Sequence, residues 1–126
     1  MTSRQQAILY FTYLLVYSDG EFDDSEKSAI KYICEEEGIV ENEYQDFLIN
    51  IQEISEKEIF DKGVVLIEAC SEEDKLAVFV WLYKLSEADG KVHAKEVRFL
   101  LYSLRRTSID LDDVKLAADD LPAIQV

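Results

Sequence analysis

Helix breakers are scarce in this chain. It has one proline, at position 122, and four glycines, at 20, 38, 63 and 90, among 126 residues. So few interruptions, with abundant Glu, Lys, Leu and Ala, favour helix throughout and leave no need for strands. Cysteine is nearly absent. Cys34 and Cys70 stand 36 positions apart, with no CxxC and with His93 as the sole histidine, so neither zinc spacing nor a redox pair is supported. Both read as small apolar residues on buried helix faces, in a reducing compartment. Positive charge is also short: 13 Lys and Arg face 27 Asp and Glu, for a net charge of −14. That balance argues against nucleic acid and anionic membrane surfaces, since both require Lys and Arg against phosphates, and no basic cluster exceeds Arg105 and Arg106. Cations and basic protein surfaces are the expected partners. No Gly-rich phosphate loop, GxSxG or HExxH occurs, and His93 has no nucleophile or acid partner in its segment, so the chain reads as a non-enzyme.

What is present is apolar periodicity. Apolar residues make up 48% of the chain, enough for one domain spanning residues 1–126 with its own core. They recur at helical spacing, as in Tyr44, Phe47, Leu48 and Ile51, and in Leu76, Phe79, Val80 and Tyr83. Helix starts carry a capping residue with an acidic side chain three positions on: Asp23 with Glu26, Ser55 with Glu58, Ser71 with Asp74, Asp110 with Asp113. These place helices beginning near 24, 56, 72 and 111. An N-terminal run, a segment from about Glu41 to Ile54 and another after His93 bring the total to about seven, an all-α bundle. Ile8 to Tyr17 and Leu76 to Leu85 are apolar nearly all round and should lie at the centre, or in the first case cover a partner chain or a homodimer contact. The N-terminal run resembles a signal peptide, but no small-residue cleavage site follows it, and about ten residues are too few for direct membrane insertion. It reads as a buried helix. The acidic clusters at Glu35 to Glu37, Glu72 to Asp74 and Asp119-Asp120 read as solvated helix ends.

The chain also aligns with itself at an offset of 70. Tyr13 falls on Tyr83, Leu15 on Leu85, Asp19-Gly20 on Asp89-Gly90, Glu26 on Glu96 and Ile39 on Ile109. This suggests an internal duplication of a helix, Asp-Gly turn, helix unit, with halves at about 7–39 and 77–109 joined by helices in 40–70.

The repeated turn, YSDGEFDDSE in one copy and SEADGKVHAKE in the other, has two readings. As a cation site it overlaps the second half of an EF-hand loop, with hard carboxylate ligands for Ca²⁺ or Mg²⁺ from Asp19 and Glu26 in one copy and from Asp89 and Glu96 in the other. The first half of that loop is missing, because Leu15 and Leu85 stand where its opening Asp belongs. As a structural corner, Gly20 and Gly90 end one helix, Phe22 and Val92 plug the turn into the core, and Glu26 and Glu96 belong to caps. An acidic residue placed twice at a helix C-terminus opposes the dipole by about 0.3–1 kcal/mol, the kind of local conflict found at functional sites. His93, Lys91 and Lys95 replace Asp23, Glu21 and Ser25 in the second copy, which leaves the first turn as the stronger cation candidate.

The paired segments SDGEFDDSE and ADGKVHAKE, each closing an apolar helix and opening an amphipathic one, resemble the signature turns of the tellurite-resistance TerB family, over about Ala7 to Leu121. Similar domains begin a membrane-anchored J-domain co-chaperone. The resemblance implies a compact seven-helix domain that is cytoplasmic and non-enzymatic. It further implies a role in stress responses, partners among proteins at the inner face of the membrane, and divalent-cation binding at the acidic positions of the turns, Asp19, Asp23 and Glu26 in the first and Asp89 and Glu96 in the second. The expected function is an acidic helical binding module; the alternative is a structural protein–protein interaction adaptor without metal.

Overall fold

The computed structural model describes residues 1–17, 23–88, 92–104 and 107–124, and within them the chain is helical, with no strand. Seven helices follow in order: α1 (Ser3–Val16), α2 (Asp24–Glu37), α3 (Glu41–Ile51), α4 (Glu56–Glu68), α5 (Glu72–Ala88), α6 (Ala94–Tyr102) and α7 (Leu111–Asp119). The starts expected near 24, 56, 72 and 111 are all present.

The four caps divide into two kinds. At α2, Asp23 Oδ1 accepts from the Glu26 amide at 2.8 Å while Glu26 Oε1 accepts from the Asp23 amide at 3.3 Å. Asp110 and Asp113 close the same reciprocal box on α7. Ser55 and Ser71 accept the third amide of their helices, each at 3.2 Å. Their acidic partners turn elsewhere: Glu58 towards Lys62, and Asp74 to Arg4. A third reciprocal box, Thr2 with Gln5, opens α1 using an uncharged side chain. The α3 helix ends at Ile51, three residues before the expected Ile54. Its last turn tightens, with the Ile54 amide donating to Ile51, and Ile54 still packs on the core from outside the helix. Gly38 closes α2 with a left-handed φ of 72°, and the next amide, Ile39, donates back to the Cys34 carbonyl.

The two all-round apolar helices are central. The α1 helix packs chiefly on α4 and on α5, α5 carries α6 and α7, and α2 rests on both α1 and α5. Phe11 on α1 and Phe79 on α5 are fully buried, with ring centroids 6.3 Å apart. On the other side of Phe11, α4 presents Gly63, where a Cβ would lie 2.9 Å from the Phe11 ring. The glycine lets the two backbones approach. Lys84 is buried on α5, and its ammonium donates to the Ala118 and Leu121 carbonyls, so a cation meets the negative end of α7. Val92 is buried as expected of a core plug, and Phe22 lies outside the described residues. No helix among the described residues is long and apolar enough to cross a membrane.

Candidate binding corner

The first turn leads into α2, whose opening brings Asp23 and Glu26 together. Asp23 is exposed, whereas Glu26 has no accessible surface and lies directly inward of it. Each carboxylate therefore holds the other residue's amide, the arrangement the helix start itself requires. In the second copy Glu96 is half-buried at the start of α6, and its amide donates to the His93 carbonyl. The His93 side chain makes no capping bond, so replacing Asp with His at this position leaves α6 less well capped than α2. Asp19 and Asp89, with Gly20 and Gly90, lie outside the described residues. Among the described residues no three His, Cys, Asp or Glu side chains converge to hold a metal ion.

A cleft of about 630 Å³ is bounded by the end of α1, by α2 and by α3. Tyr13 and Tyr17, stacked at 4.6 Å with rings 12° from parallel, form one wall, and Tyr44 faces the same space. Cys34, Ile39 and Leu48 supply apolar lining. Lys27 and Lys31, one turn apart on α2, stand at the rim with Glu35 and Glu41. The size falls in the range of small-ligand sites, and the lining divides evenly between aromatic or apolar residues and charged or amide side chains, Gln45 and Gln52 among them. Sequence periodicity reads these tyrosines as core stripes. Their convergence depends on how α3 sits against the end of α1, which no local pattern reveals.

Burial sets the acid–base character of the cleft. It pushes the Cys34 thiol up to about 12, with Glu41 and Glu35 adding to the rise. It also raises the Tyr44 phenol, with smaller contributions from Cys34 and Glu41, and raises Tyr13. These groups stay protonated near neutral pH and act there as hydrogen-bond donors rather than nucleophiles. Iodoacetamide at pH 8 should therefore alkylate Cys34 about a thousandfold more slowly than an ordinary thiol, because the thiolate is the reactive form and its population falls tenfold per unit of pKa. Mass-spectrometric labelling kinetics check this, and a rate near that of free cysteine contradicts it. Cys70 departs from expectation. It follows the end of α4, half-buried rather than on a buried helix face, and donates to the Leu66 carbonyl at 3.4 Å.

The acidic clusters are only partly solvated ends. Glu37, the last residue of α2, has a side chain 8% exposed. Arg4 binds it with two parallel bonds of 2.8 and 2.7 Å, Trp81 Nε1 donates to it at 2.9 Å, and Arg4 also reaches Asp74 at 3.1 Å. The guanidinium pKa is raised chiefly by its hydrogen bond to Glu37. Glu72 is exposed but accepts from Lys75, Thr107 and Ser108, which holds its carboxyl below the usual range, Lys75 contributing most. The only advance signal was the single Arg ahead of an apolar helix, with a single Trp in α5.

The fold and the corner define an all-helical bundle with an open tyrosine-walled cleft and a capped turn. Comparison with protein-family models, with curated proteins and with solved structures finds no match to this chain.

Proposed function

We propose that this chain is a non-enzymatic binding module of TerB-like kind, and that it receives its ligand in the cleft between α1, α2 and α3. The observation that carries this reading is the cleft itself, whose potential nucleophile, Cys34, is held in its unreactive protonated form. Phenols, two lysines and an apolar lining favour a ligand with both an apolar body and hydrogen-bonding groups. The probe 8-anilinonaphthalene-1-sulfonate has that character. Its fluorescence should rise saturably on titration, with amide shifts confined to α1–α3, and Leu48→Glu should weaken binding at least tenfold, the cost of a misplaced charge against an apolar contact. Shifts elsewhere, or binding unaffected by Leu48→Glu, overturn the cleft assignment.

A divalent cation, Ca²⁺ or Mg²⁺, at the first turn is a second reading. It is favoured by the crowding of carboxylates at the start of α2, where Asp23, Asp24 and Glu26 fall within one helical turn. Asp19, Asp23 and Glu26 would be its ligands, with Asp89 and Glu96 as the weaker second set. Amide shifts around Asp23 to Glu26 at roughly millimolar metal test it, and unchanged shifts end it in favour of the adaptor reading. Internal duplication is supported by the helix starts: α2 at Asp24 and α6 at Ala94 differ by the same offset as α3 at Glu41 and α7 at Leu111. The unequal packing weighs against a strict twofold, since α5 lies against α7 whereas α1 lies chiefly against α4.

A further inference from the structure

Charge is unevenly distributed along this acidic chain. Five of its 13 Lys and Arg fall between positions 91 and 106, a stretch whose only acidic residue is Glu96. The described part of that stretch is centred on α6. Burial of Val97, Leu100 and Leu101 turns the opposite face outward, and on it Lys95 lies three and four positions before Arg98 and Phe99, which lie four and three before Tyr102. All four are exposed, Phe99 to 67% and Tyr102 to 62%. The Arg98 guanidinium lies over the Tyr102 ring, 5.2 Å from its centroid, a cation–π arrangement on the helix surface. Neither Lys95 nor Arg98 forms an ion pair among the described residues.

We infer that this face of α6 docks an acidic polypeptide segment carrying apolar or aromatic side chains. Large aromatics and arginine are the residues that most often anchor protein contacts, and here they share one stripe with uncompensated positive charge. Charge complementarity selects the class of partner. A helix of nine residues is about 13 Å long, so the stripe is narrow. A planar anionic bilayer extends far beyond so narrow a stripe and faces a molecule of net charge −14, which repels it. A single segment meets the stripe alone. A second copy of the chain brings the same excess of negative charge, and four side chains fall short of the roughly 800 Å² per partner that a stable dimer buries.

The test uses a fluorescein-labelled peptide in which Glu and Asp alternate with Leu and Phe, titrated with the intact chain at about 0.15 M salt and followed by anisotropy. Binding should weaken as salt rises, and should fall at least tenfold in Arg98→Glu and in the double variant Phe99→Ala, Tyr102→Ala, with circular dichroism unchanged because these side chains are exposed. Four outcomes overturn the inference. They are equal binding of a control peptide with Lys in place of Glu and Asp, binding unaffected by the variants, no binding at roughly millimolar chain, or variant-sensitive association shown only by phosphatidylglycerol-containing vesicles or only by self-association in sedimentation velocity.

Discussion

Replacing Glu37 with alanine should destabilise the chain by about 2–3 kcal/mol, measured as a lower midpoint in urea with an unchanged slope. Three donors converge on this one side chain: two from Arg4 and one from Trp81. Its removal leaves the Trp81 indole N–H without its acceptor and the guanidinium with Asp74 alone. Breaking a fully buried pair costs about 3–5 kcal/mol; the lower figure applies here because the Arg4 side chain is 32% exposed and regains some water. Glu37→Gln should lose less, since a carbonyl oxygen remains for Trp81. Combining Glu37→Ala with Arg4→Met in a double-mutant cycle isolates the coupling, expected at about 1.5–3 kcal/mol for a charge-assisted pair. A coupling near zero would mean that the two side chains act independently and that α1 is held to α2 by its other contacts, among them the bond from Gln5 Nε2 to the Glu37 carbonyl.

Phe11→Ala should cost more, about 3–5 kcal/mol. The ring is fully buried and fills the space between Gly63 on α4 and Phe79 on α5. Removing it opens a cavity where three helices meet, and a glycine on one wall has no side chain with which to fill it. Phe11→Leu, which keeps most of the volume, should lose less than about 1.5 kcal/mol. The same denaturation series ranks the two, and equal losses would show that the site collapses freely around either residue.

How much was legible in the sequence depended on how local each feature is. Asp23, Ser55, Ser71 and Asp110 marked helix starts because a cap and the amide it serves lie within one turn. The reciprocal bond was less legible at Ser55 and Ser71, because Glu58 and Asp74 have competing cations in Lys62 and Arg4. Ile54 extended the apolar period of α3 past its end, since a core contact made from a turn has the same spacing as one made from a helix. Lys84 gave no sign of its burial, because the carbonyls it serves belong to Ala118 and Leu121, more than thirty positions on. For the candidate site, Asp23 and Glu26 were read correctly as neighbours at one helix start. The cleft was not foreseen, because Tyr13, Tyr17 and Tyr44 each look like ordinary core positions until two helices set them face to face. The Arg4, Glu37 and Trp81 cluster was likewise hidden by distance along the chain.

The bonds made by Lys84 and Glu72 have a consequence for how the bundle comes apart. Residues 107 and 108 are held at the start of α5 by Glu72, and the end of α7 is held further along the same helix by Lys84. The intervening segment is thus tied at both ends to one helix, while its own middle buries Val114 and Ala118. Such a segment cannot peel away from a single loose end; releasing it requires both ties and the apolar contact to fail together. The segment from Thr107 to Leu121 therefore shares the fate of α5, and its fluctuations follow the cooperative opening of the core rather than independent fraying.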